Sequence, residues 1–201
     1  RRDSPYANSG IVASIELEDL AGLGQFDALA GVALQRSVEA AAFAAGGGAL
    51  RAPATRVSDF LEKRGSSSVP ASSYRPGLSA GNIAEVLDVS GLPLAERLRD
   101  ALRFFDRRMR GFVTEEAVLV ATESRTSAPV RVPRDGESLQ SLELAGLYPA
   151  GEGAGYAGGI VSAAVDGIRV AQGIAASYPE LADSTNRVIS AGAPSRIGGP
   201  Q

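Results

Sequence analysis

The sequence has 201 residues, a formal net charge of −3 and 44% hydrophobic content, enough for one domain or one and a half with a sizeable core. It contains no Cys, His or Trp, which excludes disulfides, thiolate metal sites and any catalytic triad built on an imidazole; no bound metal is expected. The weak negative charge offers nothing to nucleic acid or anionic bilayers, and with no membrane-length apolar run and no signal peptide a soluble cytoplasmic protein is expected.

In chain order, Ile11, Ala13, Ile15 and Leu17 alternate with Val12, Ser14, Glu16 and Glu18. That period of two predicts a strand near residues 11–17, entered through the turn residues Asn8, Ser9 and Gly10. Residues 27–45 predict a helix with Leu29, Val32, Ala33 and Phe43 on its apolar side and Gln35, Arg36 and Glu39 at polar positions. Gly46, Gly47 and Gly48 stop it, because glycine accepts the left-handed conformation at a helix end. A phosphate cradle at these glycines is the alternative, but neither a lysine nor a helix start follows. Residues 51–53 read as extended, and Val57, Phe60 and Leu61 suit a short helix. Residues 65–73, rich in Ser with Pro70, predict an exposed loop.

Ser79 is the predicted N-cap of a short helix over residues 81–87 that buries Ile83, Val86 and Leu87. Pro93 suits the first turn of the next helix, to about residue 110. Its predicted buried stripe is Leu94, Leu98, Ala101, Leu102, Phe105 and Met109. The other face sets Arg97, Arg99, Arg103, Arg107, Arg108 and Arg110 against Glu96, Asp100 and Asp106. A solvated face laced with ion pairs is expected there; docking of a nicotinamide cofactor's phosphate or an acidic partner is the alternative. Residues 117–122 predict a strand, and Val130 and Val132 mark another after Pro129. Between them Ser124, Arg125, Thr126 and Ser127 form a polar apex. It reads either as the wall of a pocket, with Arg125 gripping a carboxylate or phosphate, or as a hydrophilic surface connection. Residues 178–201 lack periodicity and predict a poorly ordered tail.

The most informative stretch lies at 142–176. The apolar run from Leu142 to Tyr148 predicts a buried strand, and Pro149 and Ala150 lead out of it. Gly151, Gly153, Gly155, Gly158 and Gly159 follow. Ile160, Val161, Ala164, Val165, Ile168, Ala171 and Ile174 then recur as the apolar face of a helix. Strand, glycine turn and helix start together let backbone approach a ligand and aim free N–H groups at it, which suits a phosphate or a negatively charged ring. Gly153, Gly155 and Gly158 spell the G-x-G-x-x-G pattern, but no second strand follows the helix. A nucleotide-binding βαβ unit opening at Gly153 is therefore the less favoured reading beside a tight packing turn. Glu152 adds a carboxylate directly after the strand.

Three blocks carry a resemblance: residues 7–11 (ANSGI), 123–132 (ESRTSAPVRV) and 146–167 (GLYPAGEGAGYAGGIVSAAVDG). Through them the chain resembles the C-terminal part of a family of FAD-dependent dehydrogenases, NAD(P)/FAD oxidoreductases of poorly defined substrate. The resemblance implies FAD as cofactor, with NAD(P) as a candidate electron carrier. It implies an α/β fold in which a Rossmann-type FAD domain is interrupted by an inserted α+β-like domain. Residues 1–142 then correspond to the inserted region and its returning strands, and 143–177 to the closing strand, turn and helix of the FAD domain. Gly151, Glu152, Gly153, Gly155, Tyr156, Ala157, Gly158, Gly159 and Ile160 become the cofactor-binding candidates. Glu152 would hold a ribityl or ribose hydroxyl, and the amides from Ala157 to Ile160 would face the flavin pyrimidine oxygen. Ser124, Arg125, Thr126 and Ser127 become pocket-wall candidates. In such flavoproteins the first FAD-binding strand and its glycine fingerprint lie upstream, so this sequence reads as a piece of a longer polypeptide whose missing N-terminal region is its partner. The competing hypotheses are a non-enzymatic binding module built on the helical block and a chain that binds a nucleotide by itself.

Overall fold

The computed structural model describes residues 5–24 and 27–178. The chain divides into two compact units, Arg1–Thr126 and Ser127–Gln201.

The first unit is a small mixed α/β body. Its elements are α1 (Leu17–Gly22), α2 (Ala30–Ala45), β1 (Ala52–Arg56), α3 (Val57–Leu61), β2 (Leu78–Ala80), α4 (Ile83–Leu87), a single 3-10 turn, α5 (Leu94–Arg108) and β3 (Val118–Val120). β1 is the central strand of a three-stranded sheet, in the order β2-β1-β3. It runs parallel to β2, with Ala52 opposite Leu78, and antiparallel to β3, with Ala54 opposite Val120. Thr55, fully buried, joins sheet to helix: its hydroxyl donates to the Gly81 carbonyl at 2.7 Å and accepts the Ile83 amide at 3.0 Å.

Apolar burial holds the unit together. Val57, Phe60, Ile83, Ala95, Leu102 and Ala121 form one cluster, so β1's continuation into α3 packs on α4 and α5. Leu34, Val38, Val86, Leu92 and Leu94 form a second, which seats α2. Burying a side chain such as Phe60 or Leu102 contributes roughly 2–3 kcal/mol. Arg99 belongs to this interior. Its Nε donates to the Phe60 carbonyl at 2.7 Å, and its guanidinium lies 4.5 Å from the Phe60 ring centre.

Several expectations are corrected here. Residues 11–16 form no strand, and α1 begins at Leu17, because Glu16 and Asp19 build a helix start: the Glu16 amide donates to Asp19 Oδ2 at 3.0 Å. Arg97 then clamps the same carboxylate through both guanidinium nitrogens. α2 buries Ala30, Leu34 and Val38, leaving Leu29 and Phe43 exposed, because the face that meets the second cluster is rotated from the one expected. Ser79 lies in β2, not at a helix start; Asn82 caps α4 by accepting the Ala84 amide at 3.2 Å. Ser66, expected in an exposed loop, is buried where its hydroxyl donates to Asp59 at 2.5 Å and accepts the Arg56 amide at 2.8 Å. On α5 the expected stripe holds for Leu94 and Leu102, but Met109 is exposed beyond the helix end, and Arg99 is buried among residues expected to be solvated.

Among its described residues the second unit has one helix, α6 (Ile160–Ser177), over an irregular chain. Leu139, Pro149, Ala154, Asp166 and Val170 are buried among its described residues. Within α6 the close approach is at Gly173, where an added Cβ would lie 3.4 Å from the Ser138 carbonyl oxygen and from Leu139 Cδ1. α6 therefore turns inward the side carrying Asp166, Val170 and Gly173. Ile160, Val161, Val165 and Ile168 on the expected apolar face are exposed by 91%, 76%, 59% and 59%. The strands expected at 130–132 and 144–148 do not form. Within this unit the described residues supply no neighbouring strand, so backbone groups pair with turns instead. The Val132 amide donates to the Ala154 carbonyl at 3.1 Å and the Ser141 amide to the Leu147 carbonyl at 2.8 Å. The tail expected at 178–201 falls, apart from Tyr178, outside the described residues.

Candidate functional site

The glycine turn owes its shape to an ion pair that sequence reasoning missed. Arg134 donates from Nη1 to Asp166 Oδ2 at 2.9 Å and from Nη2 to Oδ1 at 2.6 Å. Both side chains are almost wholly enclosed, at 5% and 10% exposure. The same carboxylate accepts the Gly151 amide at 2.9 Å, and Arg134 Nη1 also donates to the Pro149 carbonyl at 2.7 Å. The entrance of the turn, residues 149–151, is thus bolted to the middle of α6. The Arg134 guanidinium, then the Gly151 amide, hold the Asp166 carboxyl down at about 2. A signal was present in the sequence: Asp166 is the sole acidic residue of a helix that is otherwise apolar or small apart from Arg169 and Gln172.

The turn continues through Glu152, whose carbonyl accepts the Gly155 amide at 2.9 Å, while the Tyr156 amide returns to the Gly151 carbonyl at 3.0 Å. Gly155 is required here. It has φ +81°, and an added Cβ would stand 2.6 Å from the Val130 carbonyl oxygen. This close approach brings residues 127–131 against residues 155–158. Between them lies an open cleft of about 520 Å3, lined by Ser127, Pro129, Val130, Arg131, Gly155, Tyr156, Ala157 and Gly158 among others.

Tyr156 is fixed in this wall. Its hydroxyl donates to the Val132 carbonyl at 3.1 Å, and the guanidinium carbons of Arg134 and Arg131 lie 3.6 Å and 4.4 Å from its ring centre. The Ala157 and Gly158 amides make no hydrogen bond within the described residues. The Gly159 amide is taken: it donates to Ser162 Oγ at 3.1 Å, which closes the first turn of α6.

Five of the residues picked from the sequence, Ser127, Gly155, Tyr156, Ala157 and Gly158, therefore meet at one cleft. Gly159 and Ile160 line a separate shallow hollow with Val161, Val165, Asp166 and Arg169. Gly151 is engaged by Asp166, and Glu152 and Gly153 line neither space. Ser124, Arg125 and Thr126 belong to the first unit, where the Ser124 hydroxyl donates to Glu39 Oε1 at 2.5 Å. That bond, then one from Gln35, lowers the Glu39 pKa. Arg131 and Arg134, both at this site, were not singled out from the sequence. No helix among the described residues is long and apolar enough to cross a membrane.

Two comparisons bear on the chain, and the first of them ends before the cleft. The family model described as "FAD-dependent protein, C-terminal domain-like" matches residues 1–126, the same span as the first unit. An uncharacterized protein of Clostridium beijerinckii is 42% identical over 177 residues, covering 86% of this chain and 32% of the relative. The chain thus spans about a third of the length of the curated relative it matches.

Proposed function

The chain belongs to the family of FAD-dependent proteins whose C-terminal domain-like model it matches, and we propose that it is the C-terminal portion of an FAD-dependent oxidoreductase in which the cleft of the second unit takes part of the cofactor. The observation that supports this most is the donor set of the cleft: the Ala157 and Gly158 amides, without partners among the described residues, beside the guanidinium of Arg131. FAD presents phosphate and carbonyl oxygens, the acceptors that such donors satisfy. When bound, FAD would supply the electron or hydride transfer, which requires no nucleophile from a chain lacking Cys and His.

The chain's own residues bind and orient. Glu152 is half-buried, and its carboxylate has no hydrogen-bond partner among the described residues, so it is available to a hydroxyl of the cofactor's sugar chain. Tyr156, held by Val132 and Arg134, presents a fixed wall. The turn and helix at 151–177, read as part of a Rossmann-type domain, and a partner region supplying the rest of the nucleotide site, belong to this proposal. The family's description names FAD and no nicotinamide.

Titration of the chain with FAD, followed by flavin fluorescence, tests the reading. Saturable binding is expected, weak because one turn alone contributes. Glu152→Ala should reduce affinity by about one to two decades, since a hydrogen bond to a charged group contributes roughly 1.5–3 kcal/mol. No saturable binding at millimolar FAD would overturn it.

A further inference from the structure

Two arginines approach Tyr156, and their charges have different fates. Arg134 is neutralised by Asp166 in a two-pronged, enclosed pair. Among the described residues Arg131 has no carboxylate within 4 Å and no hydrogen bond; its guanidinium lies over the Tyr156 ring. It lines the cleft and is exposed to solvent. A guanidinium stacked on an aromatic face loses little freedom when it then binds an anion, because the stack already orders its fork. The cleft therefore holds one uncompensated positive charge, a preordered donor fork, and two free amides two and three residues beyond Gly155. The one nearby carboxylate on the turn, Glu152, does not line the cleft.

We propose that this cleft is a phosphate-binding subsite, with the Arg131 guanidinium as its charged contact and the Ala157 and Gly158 amides as its neutral donors. The ligand class is a phosphate monoester or diphosphate. The inference deepens the flavin reading and rests on it only for the ligand's identity: the part of FAD assigned to the cleft is its diphosphate. Tetrahedral phosphate oxygens match a two-pronged guanidinium together with backbone amides, and their localised charge gains more from a formal cation than a carbonyl oxygen does.

The test is a titration of the full chain with inorganic pyrophosphate, read by the 15N–1H resonances of Ala157 and Gly158. Saturable shifts of both are expected. Arg131→Gln should weaken binding about tenfold or more, as loss of a charged hydrogen bond implies. Arg131→Lys, which keeps the charge and loses the fork, should recover part of it. Arg169→Gln, in the separate hollow, should change nothing. FAD should displace pyrophosphate and riboflavin, which lacks phosphate, should not. Pyrophosphate binding that needs Arg131 but is unaffected by FAD supports the phosphate subsite and refutes the flavin assignment. Equal FAD affinity in wild type and Arg131→Gln, or competition by riboflavin, overturns the subsite while sparing the flavin reading. Non-saturating shifts, or shifts that persist in Arg131→Gln, overturn it outright.

Discussion

Arg134 and Asp166 lie 32 residues apart and form a two-pronged ion pair, at 2.9 Å and 2.6 Å, inside the second unit. Through Asp166 the pair also holds the Gly151 amide, and through Arg134 the Pro149 carbonyl, so one interaction sets the register between the glycine turn and α6. Removing one partner leaves the other enclosed and uncompensated, which is worse than removing both. Asp166→Ala is expected to lower the unfolding free energy by roughly 3 kcal/mol, and Arg134→Met with Asp166→Leu together by less than Asp166→Ala alone. Urea denaturation followed by circular dichroism measures both; a double variant worse than the single would refute the assignment.

Acid should loosen the protein through two carboxylates. Asp166 and Asp19 are both held down at about 2, Asp166 chiefly by Arg134 and Asp19 chiefly by Arg97. A group depressed in the folded state contributes stability above its unfolded pKa and loses it as protonation overtakes the folded form. Stability from these two sites should therefore be intact above about pH 4 and fall between about pH 4 and pH 2. In Asp166→Asn with Asp19→Asn, the dependence of melting temperature on pH across that window should flatten. An unchanged slope would show that other carboxylates govern the acid transition.

Glycines in the turn are not equivalent. Gly155→Ala forces a Cβ to within 2.6 Å of the Val130 carbonyl at φ +81°, so a loss of about 2 kcal/mol or more is expected, with the cleft deformed. Gly153→Ala meets nothing within 4 Å and should be close to neutral. Gly159 has extended backbone at φ −148°, and its Cβ would meet only Ser162 Oγ at 3.6 Å, so Gly159→Ala should also fold normally. Melting temperatures of the three variants decide this; equal effects at 153 and 155 would contradict it.

The arginines of α5 should divide by burial. Arg99→Met removes the donor to the Phe60 carbonyl and the stack on its ring, and about 2 kcal/mol of stability should be lost. Arg107→Gln, exposed beyond the packed part of the helix, should shift the urea midpoint negligibly. Comparable losses would mean that burial does not govern this face.

Local information sufficed wherever an element is specified by its own residues. The helices at α3, α5 and α6 follow from apolar spacing, and the end of α2 from three consecutive glycines, two of them at positive φ. The glycine turn was legible too, because backbone that must approach backbone tolerates no side chain, and its residues Gly155, Tyr156, Ala157 and Gly158 meet at the cleft. Strands were poorly legible. A strand exists by virtue of its neighbour, so the alternation at 11–17 and the apolar run at 144–148 formed none, while Leu78–Ala80, too short to show a period, pairs with β1. Which face of a helix turns inward was likewise decided by the fold, as Leu29, Arg99 and the exposed Ile160 and Val161 demonstrate. The sequence by itself determined the absence of imidazole and thiol chemistry and the place of the backbone turn. Only the tertiary structure decided that Asp166 consumes the charge of Arg134 and leaves that of Arg131 at the cleft, since an ion pair depends on distance in space and the partners lie 32 residues apart.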